Sequence, residues 1–176
     1  MADSVLDDPF GDVAMPSAER YWGKYRGLVA GVDDDDNVGK ITVRVPSVYG
    51  EEVSPPAMPA TPFAGDGHGF VFLPEEGDGV WVEFEGGDPS LPIWSGMWFA
   101  RKELPKDADK KKRAIVTSGG LKIILDDDAT KLKLLNGDDA EVTLATDGIT
   151  IRFGSTKVVV DRSGVSINDT TFKVTA

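Results

Sequence analysis

The sequence predicts an all-β protein in two blocks, a compact five-stranded barrel followed by a ladder of short repeated strands. Three observations predict it. Turn-formers are abundant, with 20 Gly and 11 Pro among 176 residues. Val, Ile and Thr alternate with polar residues at period two, the signature of half-buried strands. No segment carries the 3.6-residue apolar period of a substantial amphipathic helix; Ala18 to Trp22 has room for a single helical turn.

Composition bounds the function. The chain carries 19 Lys and Arg against 30 Asp and Glu, a formal net charge of -11. Such a field repels phosphate backbones and argues against a nucleic-acid partner. There is no cysteine, so disulfides and thiolate metal sites are excluded. Residues 1–21 are acidic, lack the basic and apolar regions of a secretory signal, and read as an N-terminal arm. No apolar run approaches the roughly 20 residues that span a bilayer.

Residues 22–100 form the first block. KYRGLVAGV and KITVRVPSV read as a strand pair around the loop DDDDNVG, with Ile41, Val43 and Val45 on one face. The Pro-rich crossing VSPPAMPATPF is excluded from central pairing. GHGFVFLP, GDGVWVEFEGG and LPIWSGMWF supply three more strands, and five short strands suit a Greek-key barrel of the OB type. Residues 101–113, RKELPKDADKKKR, read as a charged linker too short for a further domain.

Residues 114–176 have another texture. Apolar residues come in pairs two apart: Leu121/Ile123, Leu132/Leu134, Val142/Leu144, Ile151/Phe153, Val158/Val160, Val165/Ile167 and Phe172/Val174. Turn-formers separate them, and the last four pairs recur every seven residues. A coiled-coil seam needs spacings of three and four, so the unit is a strand and a turn. A ribbon with one apolar row cannot cover it alone. Three copies about a common axis would turn the pairs from Leu132/Leu134 to Phe172/Val174 inward, giving an intertwined trimeric β-helix, a β-prism. An intramolecular meander or single-chain solenoid is the competing arrangement. The shortening distance between successive early pairs further suggests longer strands first and a shaft that narrows.

Chemical sites are weakly signalled. Asp33 to Asp36 lack the glycine and terminal glutamate of a calcium loop. Gly65 to Gly69 lack the Gly-Lys-Ser/Thr of a phosphate loop. His68 is the sole imidazole, and Ser95 lies outside a nucleophile elbow. Glu83 and Glu85 are expected on one solvated strand face, with nothing to raise a pKa. Trp81, Trp94 and Trp98 read as packing residues, the acid around them disfavouring base stacking. Lys110 to Arg113 is a basic cluster that suits either an acidic neighbour or simple solubility. No cofactor, metal or catalytic residue is expected.

The stretch YRGLVAGVDDDDNVGKITVRVPSVYG, followed by PAMPATPFAGDGHGFVFLPEEGDGVWVEFEGGDPSLPIWSGMWF, resembles the OB domain of phage baseplate spike proteins. The same domain occurs in the valine-glycine repeat spikes of type VI secretion and in extracellular contractile injection systems. Its most specific pieces here are Phe72 to Pro74, Gly77 to Val82, Gly87 to Pro89 and Pro92 to Gly96. The resemblance implies a non-enzymatic homotrimer, an OB collar on a baseplate hub, and a needle that contacts the target membrane only mechanically. It also implies a place in a virion tail or an injection particle. Some relatives insert a lysozyme-like domain, for which residues 101–113 leave no room. Some end in an iron-binding His-x-His pair, absent from Asn168 to Ala176, which suggests a separate PAAR-type tip protein. The competing function is an OB-type binding module for carbohydrate or nucleic acid on a trimeric stalk.

Overall fold

The computed structural model describes residues 19–169 and 172–175. It divides into two units, Met1–Ala100 and Arg101–Ala176. Most of the N-terminal arm lies outside the described residues. Its end is described: Tyr21 donates its backbone N–H to Gly87 O at 2.9 Å and its ring packs beside Tyr25 and Phe84. Residues 19–22 form no helical turn.

In the first unit β1 (Tyr25–Gly31), β2 (Thr42–Arg44), β3 (Met58–Pro59), β6 (Gly79–Phe84) and β7 (Pro92–Met97) build one sheet in the order β2-β1-β6-β7-β3. The ends of this sheet meet. Ile41 and Ala57 exchange backbone hydrogen bonds of 3.2 and 2.7 Å, and Ser54 N–H reaches Val43 O at 2.9 Å. Buried Ser54 completes the join: its hydroxyl accepts from Val43 N–H at 3.0 Å and donates to Pro55 O at 2.7 Å. Inside sit Val29, Ile41, Val43, Val45, Ala57, Val80, Val82, Phe84 and Trp94. On β6 every second residue is buried, as period two requires.

Two local readings change. GHGFVFLP was expected as a barrel strand, but only His68–Gly69 (β5) pairs, with Ala64–Gly65 (β4), in a separate two-stranded hairpin. The fifth barrel strand is β3, from the Pro-rich crossing, parallel to β7 at the sheet's end, where a missing N–H is tolerated. KITVRVPSV breaks at Pro46, which opens a one-turn helix α1 (Pro46–Tyr49), the position where a fixed φ favours helix entry. Tyr49 then ties this helix to Pro89 O at 2.6 Å. Burial, helped by the nearby Asp88 charge, pushes its hydroxyl pKa up to about 12.

The second unit is one eight-stranded antiparallel sheet in chain order. Its strands are β8 (Lys112–Val116), β9 (Leu121–Asp126), β10 (Lys131–Asn136), β11 (Ala140–Ala145), β12 (Gly148–Phe153), β13 (Thr156–Asp161), β14 (Gly164–Ile167) and β15 (Phe172–Thr175). The ladder is therefore intramolecular, the meander arrangement, and its strands pair with their chain neighbours. The charged stretch at 101–113 falls within this unit, and Lys112 and Arg113 open β8. Three of the four residues of its basic cluster are matched to consecutive aspartates. Lys111 pairs with Asp128 at 3.3 Å, Lys112 with Asp126 at 3.7 Å, and Arg113 with Asp127.

The expected narrowing from longer early strands is not found along most of the ladder. Strands β9 to β13 all have six residues; the loops between them shrink, and only β14 and β15 fall to four residues. The shrinking loops account for the early change in pair spacing.

Gly79 is the position where the barrel tolerates least. A Cβ there would stand 2.6, 2.7 and 2.9 Å from three atoms of the Trp98 rings. Trp98 is held over it by hydrogen bonds from its backbone N–H to Gly79 O (2.9 Å) and from Nε1 to Val80 O (3.1 Å). Gly79→Ala is expected to unseat the indole and cost about 1–3 kcal/mol. Urea unfolding would show a lower midpoint, and a red-shifted tryptophan emission would report the unseated ring.

Candidate assembly interface

Antiparallel pairing converts the repeat into two continuous rows. One runs Ile115–Ile123–Leu134–Val142–Ile151–Val158–Ile167–Phe172 across all eight strands. Beside it, starting from Arg113 on β8, runs Leu125–Leu132–Leu144–Ile149–Val160–Val165–Val174. Both rows lie on the same face, because side chains two apart on a strand point the same way.

Eleven of the twelve residues expected to face a trimer axis lie in these rows: Leu132, Leu134, Val142, Leu144, Ile151, Val158, Val160, Val165, Ile167, Phe172 and Val174. Phe153 shares the face but sits in a third row, opposite Ala140 and Thr156. The pairing of Ile151 with Phe153 had hidden Ile149, whose partners are Leu144 and Val160. Three same-face apolar residues stand on β12, and the turn after Phe153 decides which two align with the neighbours. The sequence signal for Ile149 was its own spacing of two from Ile151.

The exposure of this face is inverted relative to an ordinary sheet. Ile149, Ile151 and Phe153 are exposed while Thr150 and Arg152 between them are half-buried. Leu121, Ile123 and Leu125 show the same pattern against Lys122 and Asp126. Among the described residues of the second unit none is buried. An eight-stranded sheet with no buried residue lacks the core that gives a domain its stability.

The opposite face is closed by its own charges. Glu141 on β11 receives Lys133 from β10 at 3.0 Å and Arg152 from β12 at 3.3 Å. Thr143 donates its hydroxyl to the same carboxylate. That hydroxyl, the Lys133 ammonium and the Arg152 guanidinium outweigh desolvation and lower the Glu141 pKa to about 2. Arg152 also donates to Asp138 O at 2.9 Å, and Lys157 pairs with Asp169 at 2.7 Å. Lys133, Arg152 and Lys157 are half-buried, long stems covering sheet surface while their charged ends are paired.

Elsewhere the chemistry-bearing residues serve structure. Asp34 Oδ2 accepts from the backbone N–H groups of Val38, Gly39 and Lys40 at 2.6, 2.6 and 3.1 Å. Although desolvation raises its pKa, these bonds pull it below the usual carboxylate value. Lys40 closes the loop on Asp36. His68 is exposed; its Nδ1 lies 3.0 Å from Asp66 O and its ring 5.2 Å from that of Phe63. Trp94 is buried and donates to Gly39 O at 3.0 Å. Trp81 and Trp98 flank Arg26, whose guanidinium carbon lies 5.6 Å from each ring centroid.

Glu83 and Glu85 do not share a strand face, because β6 ends at Phe84 and Glu85 opens a 3-10 turn containing Gly86 at φ +57°. Sequence reasoning missed the grouping of Lys24, Glu83 and Ser95. Lys24 Nζ lies 2.7 Å from Ser95 Oγ and 3.0 Å from Glu83. The Ser95 hydroxyl, followed by Lys24, holds the Glu83 carboxyl below its ordinary value. A lysine ion-paired to a carboxylate has no lone pair with which to activate a serine. Among the described residues no group of three or more His, Asp or Glu is placed to hold a metal ion. No helix there is long and apolar enough to cross a membrane.

The Glu141 cluster carries a pH signature. A folded-state pKa below the ordinary value of 4.5 adds stability above that pH and loses it as pH falls toward about 2. Glu141→Gln is expected to cost about 1 kcal/mol at neutral pH after solvent screening. Denaturant titrations of both forms should converge on acidification. A gap of constant size between pH 7 and pH 2.5 would show that the carboxylate charge is not its source.

No curated protein matches the chain. Over residues 25–99 it matches the family model of the type VI secretion system and phage-baseplate injector OB domain. The matched span opens on the first residue of β1, takes in β1 to β7 and ends just after Trp98. It thus encloses the barrel, its closure at Ile41 and Ala57, and the Gly79–Trp98 seat. The match to the phage-baseplate and type VI secretion injector OB domain is thus carried by the first unit of the chain.

Proposed function

We propose that the chain is the central spike of a contractile injection machine such as a phage tail baseplate. Three copies assemble with the two apolar rows of each sheet turned toward a common axis. The OB unit is the collar that seats on a hub, and the repeat unit is the needle that pierces the target envelope under load. No step is catalysed; the work is mechanical. A PAAR-type tip protein is the natural partner for the C-terminal end of such a needle.

The observation that supports this most is the sheet with no buried residue among those described and two uninterrupted apolar rows. Covering a half-exposed Leu or Ile is worth about 1 kcal/mol, and each row repeats that gain at nearly every strand. The opposite face has less need, since its charges are paired and its apolar residues Ile124, Leu135 and Val159 are already half-buried. The match of residues 25–99 to an injector OB domain supports the place in a baseplate or injection particle.

Light scattering coupled to size exclusion tests the reading. The expected mass is three times 18.9 kDa, persisting on dilution. A compact monomer would favour the binding-module alternative. Val160→Asp should bring three carboxylates together at the axis, with a heavy desolvation cost and mutual repulsion. The expected result is loss of the trimer at micromolar concentration and a markedly lower melting temperature.

A further inference from the structure

The first unit contains a segment that the spike reading does not use. From Ala60 to Leu73 every residue is exposed, although Phe63, Phe70, Val71, Phe72 and Leu73 are large and apolar. Other exposed stretches of this chain are dense in charge, such as Asp33 to Asp36 and Lys110 to Arg113. Here Asp66 is the single formal charge, in a chain where 28% of residues are charged. The segment is also built. Phe70 N–H bonds Phe63 O at 2.9 Å, Thr61 Oγ1 donates to Phe70 O at 2.9 Å, and the β4–β5 hairpin forms the end. The Phe70 and Phe72 rings pack tilted against each other, with centroids 4.6 Å apart. An ordered, charge-poor arm with exposed aromatic rings is suited to being covered by protein.

We infer that this arm docks on the OB unit of a second copy of the same chain. The area points to a reciprocal contact. The exposed parts of its five large apolar side chains come to about 500 Å², short of the roughly 800 Å² per partner in a stable interface. A partner that only received the arm would fall below that size. A second copy that also donates its own arm doubles the area each protomer buries. The same unit offers the matching surface: Leu28, Met97 and Phe99 are exposed, and pairing places Leu28 opposite Gly79, under the Trp98 ring. A donor patch and a separate acceptor patch on one chain make a head-to-tail contact, the kind that builds a ring where the rotation between copies closes. The inference rests on the self-association proposed above, but uses a different surface from the apolar rows.

The chain has no cysteine, so a benzophenone maleimide can be placed on the arm alone through Val71→Cys. Full-length labelled chain is mixed with ¹⁵N-enriched unlabelled chain, reassembled, irradiated and mapped by mass spectrometry, with the mass in solution recorded on the same sample. Adducts joining residue 71 to residues 19–100 of the isotopically distinct copy are expected. Adding Phe70→Ser and Phe72→Ser should reduce their yield at least fivefold. A trimeric sample whose adducts are confined to one chain, or reach only residues 101–176 of another, overturns the docking and leaves the spike standing. A monomeric sample overturns both.

Discussion

The rest of this structure depends on one constraint: a sheet that lines up two rows of large apolar side chains, half-buried or exposed, on one side must have that side covered. In the repeat unit the backbone is satisfied, since every strand pairs with its chain neighbours. The charged side is satisfied too, by the ion pairs centred on Glu141 and by Lys112 with Asp126, around half-buried Ile124, Leu135 and Val159. What is left over is the pair of apolar rows. The hydrophobic effect is non-directional, so the register of the two rows, not any single contact, sets how a cover fits. Uniform six-residue strands keep the rows parallel to each other over most of the ladder.

The OB unit solves the same problem by closing on itself. Its sheet bends until Ile41 meets Ala57, and the apolar face becomes an interior of Val, Ile, Phe and Trp side chains. The two halves of the chain thus apply one pattern, alternation at period two, in opposite ways. Closure requires a bend at Pro46, a short parallel strand at Met58–Pro59 and a buried serine at the seam. The ladder has none of these devices and stays open. The outer wall of the barrel is occupied by packing of its own, with Arg26 between two indoles and Trp98 lodged on Gly79.

Much of this was legible in the sequence, for definable reasons. Alternation located β1, β6, β7 and nearly all of the ladder, because a strand's period survives whatever it packs against. The face of the ladder was legible from residue type alone. Row membership was not: Ile149 and Phe153 differ only in where the turn at Gly154 falls, and that is a matter of pairing. The third strand reading failed, and β3 went unforeseen, for another reason. GHGFVFLP has apolar residues on both sides, so period gives no direction, while β3 is two residues long and leaves almost no periodic trace. The grouping of Lys24, Glu83 and Ser95 was invisible, since 71 residues separate its ends. The basic cluster was undecidable until Asp126 to Asp128 were seen across the hairpin.

The order in which the ladder's strands pair has a kinetic consequence. Each strand meets the one just before it in the chain, across turns as short as two residues, so every loop to be closed is small. Contact order in this half is low, and such topologies form quickly. A single nascent copy can therefore zip its sheet before any other copy arrives, and wait as a preformed plank with a greasy side. During that wait the net charge of -11 keeps planks apart from unrelated neighbours and from one another. Encounter between finished sheets, and not the pairing of strands, then becomes the slow, concentration-dependent step.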